Sequence, residues 1–228
     1  MKNKRIFALN LLLAVLVQAS MIWYLDCGGL WRKGLTSFGF VLLGVLNLAY
    51  LIAVRRKPFR FPGILVIGLV FAMLGDIVLN VNFIGGALLF AVGHIFYAIS
   101  YAQLQRIGKL DLLLSGVIFA AAALFLLLAP IFDFGDPVMK GICIGYALII
   151  SCMVGKAFGN AVREHTVTNL LLAAGSFLFF FSDLMLVLYV FADAPHIIDT
   201  LCVVTYYPAQ CILAHSMFWY KGKSPAGK

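Results

Sequence analysis

From residue 6 to residue 220 the chain is a succession of eight apolar runs, joined by connections too short to hold a domain. The runs lie at approximately 6–25, 36–54, 62–82, 84–105, 110–132, 136–157, 168–192 and 197–220. Crossing a hydrocarbon core takes roughly 20 apolar residues of α-helix, so each run is long enough to span a bilayer. Strand alternation is absent and the runs are too long for barrel strands, which leaves helices as the spanning form that satisfies its own backbone. Composition agrees: 64% of the 228 residues are hydrophobic and 11% charged, with a mean hydropathy of +1.05. A soluble domain is about half apolar and about a quarter charged. The expectation is therefore an all-α, polytopic membrane protein of eight transmembrane helices, with residues 1–228 forming one transmembrane domain.

A formal charge of +8 would suit an acidic partner, but the placement of the charges explains it without one. Basic residues fall at the N-terminus (Lys2, Lys4, Arg5), between helices 2 and 3 (Arg55, Arg56, Lys57, Arg60), and between helices 4 and 5 (Arg106, Lys109). Lys156 and Arg163 mark the 6–7 connection, and Lys221, Lys223 and Lys228 the tail. Only Arg32, Lys33 and Lys140 fall on the other side. Such asymmetry follows the positive-inside rule and predicts that both termini are cytoplasmic, in the inner membrane if the source is bacterial. The basic charge then sets topology and meets anionic headgroups, and no nucleic-acid partner is expected. The first run imitates a signal peptide, with Gln18-Ala19-Ser20 as a candidate cleavage site, but its apolar stretch continues through "MIWYL", longer than such a segment needs. It reads as a retained first helix. The five cysteines (27, 143, 152, 202, 211) show no ligand spacing and read as small packing residues.

Two acids interrupt the apolar runs. Asp76 stands in "FAMLGDIVLN" and Asp183 in "LFFFSDLMLVL", each preceded by a small residue at the same depth of its helix and 107 residues apart. Moving helices 1–4 by that distance lands them on helices 5–8. This predicts two parallel four-helix repeats, about 6–105 and 110–220, related by an axis along the membrane normal. Both aspartates would then lie about 20 Å into outward-running helices, facing one central space. A carboxylate in a bilayer costs several kcal/mol and usually faces a cavity or a partner. The plainer role is a hydrogen bond between helices, but recurrence at matched positions favours a site. Two acids sharing an apolar space are arranged for proton transfer, one as donor and one as carboxylate.

The other candidates are weaker. His94, Tyr97 and Tyr101 fall on one helical stripe. Asn80 lies one turn beyond Asp76, Ser176 two turns before Asp183, and Tyr207 and Gln210 share a face of helix 8. Polar groups of this kind often only pair helices. In the second half the position of His94 is taken by roughly Thr205, so the halves differ and one site is expected. Asp26, Asp133, Asp136, Asp193 and Asp199 fall at outer helix ends, where solvation or capping suffices, and His165, His196 and His215 carry no site signal. Serine-hydrolase, zinc-protease and P-loop patterns are absent.

The elements "GDIVL" (75–79), "HIFY" (94–97), "GSFLFFFSDLML" (175–186) and "YYPAQCILA" (206–214) together resemble the YhhN family of membrane proteins, over essentially the whole chain. The family includes lysoplasmalogenases. The resemblance implies hydrolysis of the vinyl ether bond of lysoplasmalogens to a fatty aldehyde and glycerophosphoethanolamine or glycerophosphocholine, with no cofactor and no metal. The expected partners are the lysophospholipid substrate and membrane lipids. Asp76 and Asp183 would be the catalytic pair, with His94, Tyr97, Asn80, Ser176, Tyr207 and Gln210 binding substrate or water. Two other readings fit the residues: a proton-coupled transporter built from parallel repeats, and a metal-dependent lipid hydrolase. The second has only His94 at the right depth, where zinc usually takes several nitrogen or sulfur ligands.

Overall fold

The computed structural model describes residues 2–222, so Lys223 and Lys228 of the basic count lie outside the described residues. Among these residues the structure is all helix: α1 (Lys2–Cys27), α2 (Leu30–Ala53), α3 (Arg60–Val78), α4 (Phe83–Leu104), α5 (Lys109–Leu128), α6 (Pro137–Arg163), α7 (Val167–Phe191) and α8 (His196–Ser216). A 3₁₀ turn at Met217–Trp219 follows. All eight helices are long and apolar enough to cross a membrane, and the chain is an integral, multi-pass membrane protein.

Helix boundaries have local causes. Gly28 and Gly29 take φ of 61° and 94°, a region where a side chain is strained and glycine is not. This tight turn starts α2 at Leu30, six residues before the apolar run at 36 suggested. Arg32 and Lys33 are therefore carried into the first turn of a spanning helix. Asn82, Asp136 and Thr166 cap α4, α6 and α7 by accepting from the backbone N–H of Gly85, Met139 and Asn169, which satisfies donors a helix start leaves open. Helix α6 continues to Arg163, well past the expected end at 157.

That extension is held by a polar network. Asp111 at the start of α5 accepts from Lys156 Nζ at 3.1 Å and Arg163 Nη2 at 2.8 Å, and Lys156 also donates to Asn160 Oδ1 at 2.8 Å. Lys156 and Asp111 are 4% and 2% exposed. Lys156 and Arg163 thus lie inside α6, with a matched partner, and not in a solvated connection. The corresponding end of α1, α2 and α8 is tied by Asn47, whose Nδ2 donates to Asn10 Oδ1 at 2.7 Å and to the Ala214 carbonyl at 3.1 Å.

The core runs through the middle of the bundle, with Leu43, Leu65, Leu69, Phe179 and Leu213 fully buried. Helix α3 packs on α4 as α7 packs on α8; α2 touches α3 and α8 as α6 touches α7 and α4. Helices α1 and α5 bury the least. At Gly75 a Cβ would meet the Phe90 ring at 2.9 Å, so glycine permits α3 and α4 to approach and sets the neighbouring Asp76 into the interior.

Candidate active site

Asp76, near the end of α3, is 4% exposed and saturated with donors. Lys33 Nζ on α2 lies 3.0 Å from Oδ1. Ser37, one turn further along α2, donates to Oδ2 at 2.5 Å, and Tyr207 of α8 donates to the same oxygen at 2.8 Å. An i, i+4 spacing puts Lys33 and Ser37 on one helix face, so both reach the same carboxylate. Asn80 donates Nδ2 to the Asp76 carbonyl at 2.8 Å, capping the turn behind it. Lys33 itself is 8% exposed. A buried ammonium and carboxylate are tolerated only when paired and further hydrogen-bonded, and here they are.

Asp183 of α7 is held differently. Tyr146 of α6 donates its hydroxyl to Oδ2 at 2.5 Å, and His94 Nε2 of α4 stands 3.2 Å from that oxygen and 2.7 Å from the Tyr146 hydroxyl. His94 is fully buried and its Nδ1 has no partner among the described residues. A buried N–H left unpaired is costlier than a bare ring nitrogen, which favours the tautomer with hydrogen on Nε2. Asp183 Oδ1 makes no hydrogen bond among the described residues, and Asp183 is 7% exposed. One oxygen is fixed from behind and the other left free.

Both aspartates line one cavity of about 270 Å³. It opens where the ends of α1, α3 and α7 meet the starts of α2, α4 and α8, and Tyr24, Lys33, Asn80, Tyr207 and Asp199 also line it. Phe90 and Tyr206 form an aromatic wall, their rings 5.8 Å apart and edge-on. Asp199, read from sequence as an outer helix end, thus faces the same space as the buried pair.

The remaining expected residues lie deeper. Tyr97 donates to Gln210 Oε1 at 2.7 Å, and the Tyr101 hydroxyl is 3.0 Å from Ser176 Oγ. These four are fully buried, joining α4 to α8 and α7, and like His94 they do not line the cavity. Lys33, Ser37 and Tyr146 are not among the site residues expected from the sequence. The signals were present: a lysine and a serine one turn apart on α2, and the repeat itself, since Ser37 moved by the 107 residues between the aspartates falls two short of Tyr146. Among the described residues no three His, Cys, Asp or Glu side chains gather as metal ligands would.

A family model described as the YhhN family matches residues 36–217. The chain belongs to the YhhN family. The matched span of this YhhN chain contains Asp76, Asp183 and their partners Ser37, His94, Tyr146 and Tyr207, while Lys33 lies just before it. Among curated proteins it is similar to the human (Homo sapiens) lysoplasmalogenase TMEM86A, with 31% identity over 160 residues. That match covers 66% of this chain and 63% of the relative, so the chain spans less than two thirds of that protein's length. No solved structure matches.

Proposed function

We propose that this YhhN protein hydrolyses the vinyl ether bond of lysoplasmalogens, releasing a fatty aldehyde and a glycerophospho-ethanolamine or -choline. The observation that carries the reading is the unequal pair of acids on one cavity: Asp76 matched by Lys33, Asp183 with a free oxygen. The named activity of the human relative points the same way.

Vinyl ethers break by protonation of the carbon remote from oxygen. Asp183, carrying its proton on Oδ1, gives it to that carbon, forming a C–H bond and leaving an oxocarbenium ion. Asp76, kept as a carboxylate by Lys33, Ser37 and Tyr207, stabilises the positive charge, as does the aromatic wall of Phe90 and Tyr206. Water adds to the carbon attached to oxygen and returns a proton to Asp183. The hemiacetal collapses, its C–O bond to glycerol breaks, and aldehyde and alcohol leave. One water is consumed and nothing is oxidised. This division of labour between two carboxyls is that of glycosidases, and it needs no nucleophilic serine.

His94 and Tyr146 act as positioning residues, since they fix Asp183 Oδ2 from behind without reaching the cavity. The headgroup would occupy the polar cavity, where Asp199, which makes no hydrogen bond or ion pair among the described residues, suits a cationic amine. Purified protein incubated with lysoplasmalogen and with its saturated alkyl-ether analogue tests the reading. Aldehyde from the first alone is expected; no aldehyde from either, or cleavage of both, contradicts it.

A further inference from the structure

Asp183 lies on two hollows. The second, of about 390 Å³, runs between α5, α6 and α7, and apart from Asp183 and Cys143 every side chain lining it is apolar. Its α5 wall extends from Val117 to Leu126, about 13 Å along the helix. Helix α5 packs on α6 but makes no substantial contact with α7, so the two helices stand apart above α6. Val117 and Ala121 are exposed on the α5 wall, and the groove is therefore open to the surrounding lipid. Leu126, Cys143, Phe191 and the rings of Phe132 and Phe134 cluster at its far end.

The chemistry of the substrate makes this juxtaposition meaningful. In a lysoplasmalogen the vinyl ether is the first unit of the hydrocarbon chain, the joint between oily tail and polar glycerol. A molecule lying with its tail in an apolar groove and its head in a polar cavity presents that joint at the boundary. Asp183 is the residue common to both linings.

We infer that the α5–α6–α7 groove holds the alkenyl chain of the substrate, entering sideways from the membrane, and sets the vinyl ether against Asp183 where groove and polar cavity meet. The inference rests on the proposed reaction, but it is separable from it. Small side chains along the groove, Ala121 and Ala122 from α5 and Ala147 from α6, leave the space a chain needs. Ala121→Phe fills it from an exposed position that takes no part in the core.

The test has two arms. Turnover of a long-chain and a short-chain alkenyl lysolipid is compared in the wild type and Ala121→Phe. A loss of about tenfold or more in kcat/KM confined to the long chain is expected, in line with what small steric changes cost in apolar pockets. Equal effects on both chains, or none, overturn the inference. In the second arm the wild-type protein is photolabelled with a saturated alkyl-ether lysolipid carrying the reactive group at its chain end. Labelling within residues 117–126, 143–150 or 180–187, the three walls of the groove, displaced by unlabelled lysolipid and not by diacyl phospholipid, is expected. Labelling elsewhere, or equal displacement by bilayer lipid, marks the groove as an ordinary lipid contact and overturns it. If the wild type releases no aldehyde at all, the reaction reading fails, while the unreactive probe still decides the groove.

Discussion

Replacing Asp76 by asparagine leaves the Lys33 ammonium buried without its counter-charge, a loss of about 3–5 kcal/mol for a buried pair broken on one side. Asp76→Asn is therefore expected to unfold at lower temperature in detergent, and adding Lys33→Met should recover most of that stability while turnover stays low. A double variant with wild-type turnover would remove Asp76 from the chemistry. Asp183 has no such obligatory cation, so Asp183→Asn is expected to keep its melting temperature within a few degrees. Its kcat should fall by about 100- to 10,000-fold, the range for a general acid. Tyr146→Phe deletes the 2.5 Å hydroxyl contact to Oδ2. It should lower kcat with little change in KM, because a positioning residue acts through Asp183 and not on bound lipid. Asp76 and Asp183 were legible in the sequence because a carboxylate in an apolar run has no bland background. Lys33 was not, because near a helix end a lysine reads as a topology signal, and only the Gly28–Gly29 turn brings it inside. Tyr146 was hidden for the opposite reason: in a chain with 9 tyrosines, one more on a membrane helix looks like packing.

At the level of elements, apolar length alone locates all eight helices, and the largest differences, six residues each at the start of α2 and the end of α6, sit where polar residues lie inside a helix. The start of α2 and the end of α6 lie beyond the apolar runs because hydrogen bonds to Asp76, Asp111 and backbone carbonyls let a helix carry Arg32, Lys33, Lys156 and Arg163, which in the sequence read as connections. Helix α5 shows the consequence most clearly. Of its 20 residues only Asp111 and Leu126 are buried, so its attachment depends heavily on the Asp111–Lys156–Arg163 network at one end. Asp111→Asn should cost about 3–5 kcal/mol and loosen α5 before the rest of the bundle. Backbone hydrogen exchange in detergent micelles would read this as faster exchange across 109–128 with α3 and α7 unchanged; uniform exchange throughout would contradict it.

For the whole molecule we propose that the two halves are repeats, which the pattern of bonds supports residue by residue. Asn47 of α2 donates to the carbonyl of Ala214 on α8, and Asn160 of α6 donates to the carbonyl of Tyr101 on α4. Each aspartate likewise takes a hydroxyl donor from the helix before it, Ser37 or Tyr146, and a donor from the last helix of the opposite half, Tyr207 or His94, while Asp76 alone also has Lys33. The proposed symmetry brings two acids to one place, and in the proposed reaction the unequal donors make one a stabiliser and the other a proton source. With both termini proposed to be cytoplasmic, the cavity opens toward the opposite leaflet. In a variant whose five native cysteines are replaced, membrane-impermeant thiol reagents should then modify a cysteine placed at Asp193 but not one at Lys57 in sealed cells, and the reverse pattern would invert the topology. In the proposed reaction Asp183 delivers a proton to carbon. Turnover of lysoplasmalogen in heavy water, followed by mass spectrometry of the aldehyde trapped as it forms, tests it most directly. One deuterium on the carbon next to the carbonyl is expected for the wild type, with a near-complete loss of labelled product in Asp183→Asn. Aldehyde free of deuterium, or full labelled turnover by Asp183→Asn, would contradict it.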